Sequence, residues 1–175
     1  MVDVKKEKKM NTTTITSITA PSVSIVLSDE VREHLRRHFD GDLPGSKFYA
    51  ATPDELLQLA LNCFPYTIAN ATANADGLKV VQLRFDKKIG TCNVVPVDVL
   101  TDDERATLHT VPRGETLARC ATSHRVFPTS ECTLIIDGSN YLVTAYPGEA
   151  APPLPPSPDV PDPYWDRHVF IEQPA

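Results

Sequence analysis

Residues 131–147 read ECTLIIDGSNYLVTAYP, and the fold is decided here. Leu134, Ile135 and Ile136 form an apolar run, Asp137-Gly138-Ser139-Asn140 is a cluster of turn formers, and residues 141–146 are a second run rich in β-branched and aromatic side chains. Two such runs joined by a short glycine-containing link predict an antiparallel hairpin. Side chains alternate along a strand, so Leu134 and Ile136 are expected to face the helices, with Thr133 and Ile135 facing away. Pro147-Gly148 ends the second strand, because proline offers no N–H to a ladder.

Working outward from the hairpin, residues 78–85 (LKVVQLRF) and 91–100 (TCNVVPVDVL) are expected strands joined by the turn DKKIG; Pro96 marks an edge or a bulge in the second. Thr101-Asp102-Asp103-Glu104 is a capping box that opens a short helix to about His109. Arg113-Gly114 is a turn, and residues 115–127 are a third strand, broken near Ser123. Nearer the N-terminus, Ser28 is placed as an N-cap ahead of Asp29 and Glu30, with Val31, Leu35 and Phe39 on one helical face and Asp40-Gly41 as the stop. Thr52-Pro53-Asp54-Glu55 opens a second helix, which Phe64-Pro65 ends. The predicted class is α+β: two N-terminal helices packed on a four- to five-stranded antiparallel sheet, with a proline-rich C-terminal strap. The expected organisation is a disordered N-terminal arm over 1–20, an α+β domain over 21–148, and a proline-rich tail over 149–175 anchored by Trp165.

The chain has 175 residues, of which 41% are hydrophobic, enough for one domain with a stable core. Its 16 prolines are unevenly placed, nine of them from Pro147 onward. Cys63, Cys92, Cys120 and Cys132 form no CxxC pair; three of them fall inside predicted strands or helices, where a free cysteine behaves as a small hydrophobe, which suits a reducing compartment. The sequons at Asn11 and Asn70 carry meaning only in a secreted protein. The lysine-bearing start lacks an apolar h-region, and no apolar run approaches a membrane span, so the expectation is a cytoplasmic chain with no membrane partner. A net charge of −6 argues against a generic nucleic-acid binder, whose affinity comes mainly from neutralising phosphate. The charge is zoned: residues 77–127 sum to +2 and residues 147–175 to −4.

No P-loop, GxGxxG, GxSxG or HExxH motif occurs, and the sequence calls for no cofactor and no metal. His34 and His38 share metal-like spacing without a third ligand. The remaining candidates are polar groups on the sheet: His109, His124 and Arg119 for catalysis, and Thr144, Tyr146 and Arg125 for substrate. Histidine would move a proton near neutral pH, arginine would hold phosphate charge, and tyrosine would stack a base. Residues 119 and 124 differ by an odd number, so a regular strand sends them to opposite faces. A bulge at Thr122-Ser123 is needed to bring them together.

Two helices ahead of an antiparallel sheet, with Thr144-Ala145-Tyr146 in the last strand, resemble the barnase, EndoU, colicin and RelE group of metal-independent ribonucleases. The resemblance implies His109 and His124 as an acid–base pair and Thr144 and Tyr146 as substrate contacts, in an endoribonuclease of toxin type with RNA as partner. Where that pattern carries a lysine after the second histidine, residues 125–143 have Arg125 as their only cation. The segment TAYPGEAAPPLP followed by YWDRHVFI resembles the close of a group of uncharacterised bacterial proteins and makes His168 part of a shared pattern.

The tail supports the alternative function. PPLPPSP is expected as extended polyproline II with PxxP spacing, and an acidic segment of this kind suits a non-catalytic bacterial or phage module that binds a protein partner.

Overall fold

A computed structural model describes residues 15–20 and 23–174, and among these residues twelve strands and four α-helices form. β1 (Ile15–Ala20) and β2 (Val23–Ser28) are an antiparallel hairpin. α1 (Asp29–Leu35) follows at once, with Ser28 Oγ accepting from Val31 N at 3.3 Å. β3 (Lys47–Phe48) leads to α2 (Pro53–Cys63) and α3 (Pro65–Ala69). After these come β4 (Leu78–Arg84), β5 (Gly90–Cys92), β6 (Val94–Pro96), α4 (Asp102–Arg105), β7 (His109–Arg113) and β8 (Thr116–Thr122). The chain closes with β9 (Phe127–Thr129), β10 (Glu131–Asp137), β11 (Leu142–Pro147) and β12 (His168–Glu172).

The class is α+β, and the helices are few and short. In place of the one four- to five-stranded sheet expected, the strands divide into the β1-β2 hairpin and sheets ordered β11-β10-β4, β6-β12-β8-β7 and β3-β5-β9. β10 sits between β11 and β4 and pairs antiparallel with both. Cys132, Leu134 and Ile136 are buried on one side, and Thr133 is buried on the other, its Oγ1 donating to the Gly148 carbonyl at 3.0 Å. The expected hairpin face is the one observed: Leu134 and Ile136 enter the main core with Leu56, Leu57 and Leu61 of α2. A bulge between Ile135 and Ile136 takes up one extra residue of β11. Asp137 Oδ1 accepts from Ser139 N at 2.8 Å and Tyr141 N at 3.0 Å, and Asn140 takes φ 66° to close the turn.

The expected arm over 1–20 is strand from Ile15 to Ala20, while residues 1–14 lie outside the described residues. The helix expected to reach Phe39 tightens into a 3-10 turn at Arg36–His38. The strand expected over 91–100 is two three-residue strands followed by a 3-10 turn at Val97–Val99, and β6, with Pro96, is a sheet edge. The third strand stops at Thr122. His109, expected at the end of a helix, opens β7, because α4 closes at Arg105. Gly90 allows β3 and β5 to meet, since a Cβ there would run into the Lys47 carbonyl.

The C-terminal residues make the largest difference from the expected arrangement. β12 lies inside the four-stranded sheet, antiparallel to β6 and parallel to β8. Val169 and Ile171 complete a second core with Val95, Leu100 and Ala121. Among the described residues no helix is long and apolar enough to cross a membrane.

Candidate functional site

The six residues singled out from sequence fall in separate places. His109 and Arg119 are on adjacent strands, but His109 is the register partner of Cys120, and Thr110 of Arg119. Register partners share a face, so His109 and Arg119 point to opposite faces of the sheet. His124 is exposed in the bend after β8, beyond the point where Ser123 N donates to the Glu172 carbonyl at 3.1 Å. Thr144 and Tyr146 belong to β11, in the other main sheet. The expected bulge at Thr122-Ser123 is replaced by the end of the strand, and Arg119 and His124 are not carried to one strand face.

Each engaged group has a structural partner. His109 Nδ1 donates to the Thr107 carbonyl at 2.8 Å, and its Nε2 lies 3.0 Å from Glu172 Oε2. Both acceptors favour an N–H on the ring nitrogen that faces them, and these two contacts raise the pKa of the ring. Arg125 grips Glu104 through Nε at 2.7 Å and Nη2 at 2.6 Å, and lies 4.8 Å over the Phe127 ring. That contact, with bonds from Ser123 Oγ and Thr101 N, holds the Glu104 carboxyl far below the usual carboxylate range. Thr144 Oγ1 is 3.3 Å from His34 Nε2. Tyr146 is half-buried opposite Thr133, and burial raises its phenol above its ordinary pKa. His38 is buried and donates Nδ1 to the Ser46 carbonyl at 2.9 Å, which accounts for its place on the apolar side of the turn. Burial raises the thiol pKa of Cys92 and Cys120 and pushes that of Cys132 up to about 12, so these three are not thiolate nucleophiles. Among the described residues no group of three or more His, Cys, Asp or Glu is placed to hold a metal ion.

Sequence reasoning did not assemble the groups around Trp165. Its indole Nε1 donates to the carbonyls of Pro152 at 3.1 Å and Pro153 at 3.2 Å, pinning the proline-rich segment to the body. The Trp165 ring stacks on Phe170 at 5.1 Å and meets Tyr164 edge-on at 5.0 Å, while Arg113 lies 3.7 Å over Phe170. Tyr164 stacks on His168 at 3.8 Å, and His168 Nε2 is 3.3 Å from Glu149. Burial beside Glu149 raises the Tyr164 phenol well above its ordinary range. Arg119 Nη2 donates to the Trp165 carbonyl at 2.8 Å. Leu117, Arg119, Leu154, Pro155, Trp165 and His168 line a groove under the proline segment. The sequence signal for this cluster was the run YWDRHVFI, whose alternating Val169 and Ile171 are strand-like. The outer face of the segment is open: Pro152, Pro153 and Pro156 are exposed, as are Asp159 and Asp166. No family model, curated protein or solved structure matches the chain.

Proposed function

We propose that this chain is a non-catalytic protein-binding module that presents its acidic proline-rich segment to an aromatic-lined groove of a partner. The observation that supports the reading is the pinned segment itself. Trp165 holds the carbonyls of Pro152 and Pro153, while the rings of Pro152, Pro153 and Pro156 remain exposed. A segment already held in place loses little entropy on docking. Asp159 and Asp166 beside it favour a partner with a basic rim. The ribonuclease reading needs a base, an acid and a phosphate cation around one atom. The separation of Thr144 and Tyr146 from His109, and the engagement of Arg125 by Glu104, weigh against it.

The test is a binding screen of the full chain against SH3 and WW domains, with an RNA-cleavage assay in EDTA on the same sample. The expected result is saturable binding by at least one domain, weakened by salt and by at least about tenfold in the Pro153→Ala/Pro156→Ala double variant, a change of ~1.4 kcal/mol. Cleavage of RNA that His109→Ala or His124→Ala abolishes, with no domain bound, would replace this reading with the nuclease.

A further inference from the structure

We infer that two copies of this chain pair through the free edge of β4, so that the sheet β11-β10-β4 of one copy runs on into β4-β10-β11 of the other. β4 is bonded on one side only, to β10. Phe85 N donates to the Ser130 carbonyl at 2.8 Å, so the backbone groups of Phe85, Leu83 and Val81 face β10. Those of Arg84, Gln82 and Val80 alternate with them and face outward. At the start of that outer side the Leu78 carbonyl accepts from Asn74 N at 2.8 Å, and Leu78 N donates to Asn74 Oδ1 at 3.1 Å. Beyond that turn, among the described residues, no backbone group bonds to Val80, Gln82 or Arg84 along the edge. Their side chains are exposed as well. The other edges of the three larger sheets are guarded. β3 is two residues long, and β6, β7, β9 and β11 carry Pro96, Pro112, Pro128 and Pro147. β4 has seven residues and no proline, and its two cations are engaged, Lys79 with Asn140 and Arg84 with Glu131.

The edge matches a second copy of itself. Gln82 lies midway between the other two free residues. An antiparallel β4 related by a twofold axis at Gln82 therefore sets Gln82 opposite its own copy and Val80 opposite Arg84. In that register every free residue exchanges both backbone bonds with an outward-facing one, and a slip of one residue loses them all. The charges agree with the pairing. The two Arg84 side chains stand four residues apart, about 13 Å, beyond the range at which exposed charges repel strongly in physiological salt. Each lies along the partner's Val80, which is 45% exposed and which the arginine methylenes can cover. The turn before β4 carries Asp76 and the turn after it carries Asp86, Lys87 and Lys88, none of them in an ion pair among the described residues. The net-negative end of one strand thus meets the net-positive end of the other. Ala150 N donates to Gln82 Oε1 at 3.1 Å, so in the dimer both proline-rich segments set out from the same face beside the axis.

The test is sedimentation of the full chain over a range of concentrations, followed by cross-linking in a Cys63→Ser background that removes the exposed thiol. Residues opposite each other in a hydrogen-bonded antiparallel pair have Cα atoms about 5.5 Å apart, within reach of a disulfide. Gln82→Cys meets its own copy across the axis, whereas Val80→Cys and Arg84→Cys each lie too far from theirs. The expected result is a dimer that grows with concentration. On oxidation Gln82→Cys should link at least about tenfold faster than Val80→Cys or Arg84→Cys alone, while an equal mixture of those two links to each other as readily as Gln82→Cys does to itself. Val80→Pro, which removes an outward N–H at an edge, should sediment as a monomer. A native chain that is monomeric at every concentration overturns the inference, as does a dimer in which the three single-cysteine variants link at one rate. A folded Val80→Pro that still dimerises overturns it too, and if that variant does not fold the cross-linking rates decide.

Discussion

Ile136 shows how one side chain carries the register of the hairpin. It is 2% exposed and packs in the main core, whereas Ile135, one residue away, is half-buried on the opposite face. A slip of one residue would exchange the two. Ile136→Ala is expected to cost about 2–4 kcal/mol in a denaturant melt, and Ile135→Ala clearly less; equal effects would contradict the register. His109 supplies a prediction of opposite chemical character. Its pKa is raised in the folded state above the ordinary 6.5, so the folded state binds the proton more tightly than the unfolded chain does. The stabilisation is therefore full below about pH 6.5 and is lost as pH rises through the raised value. The ring is largely exposed, so the effect is screened and local. Amide exchange in β12, corrected for intrinsic rates, should quicken over that interval in the native chain and lose this pH dependence in His109→Gln. An unchanged profile in the variant would show that the Glu172 contact does not hold the strand.

The elements that were legible from sequence are those whose signals are local. Thr101 and Glu104 make the reciprocal capping box that their spacing predicts, with Glu104 N donating to Thr101 Oγ1 at 3.2 Å and Thr101 N to Glu104 Oε2 at 2.9 Å. Thr52 caps α2 in the same way, although Glu55 reaches back to Ala51 N at 3.0 Å in place of the N-cap amide. What local pattern could not supply was the second duty of Glu104, which also ties α4 to Arg125 and Ser123 across the sheet end. That contact spans 21 residues and leaves no trace in the spacing. It has an acid-side consequence. The Glu104 pKa is depressed by Arg125, so its stabilisation is present above the ordinary carboxylate range and fades as pH falls through the folded value. Glu104→Gln should lower the melting temperature at neutral pH and have a diminishing effect as the native carboxyl is protonated. A neutral-pH melt identical to the native chain would remove α4 from the account of how the second sheet is held.

At the scale of the whole molecule, the sequence revealed the class and the hairpin but not the partition into sheets. β7 (HTVPR) is short, exposed and proline-bearing, so it gave no strand signal, and only pairing with β8 makes it one. The parallel pairing of β12 with β8 joins residues 50 apart and follows from where the proline-rich hinge delivers the chain. The candidate site suffered for the same reason. His109, Arg119 and His124 looked like neighbours because they are close in sequence, and strand register sends the first two to opposite faces. Trp165, by contrast, was expected to anchor the tail, and it is 8% exposed with both proline carbonyls on its indole.

The most direct measurement compares, for the same SH3 or WW domain, the affinity of the full chain with that of a synthetic peptide of residues 147–163. If the pinned segment is the docking surface, it enters the partner's groove already ordered, and the full chain should bind at least about tenfold more tightly than the free peptide. Trp165→Phe, which removes the indole donor to Pro152 and Pro153, should close most of that gap. A peptide that binds as tightly as the full chain, or more tightly, would mean that the segment must leave Trp165 to be recognised, and would contradict the account.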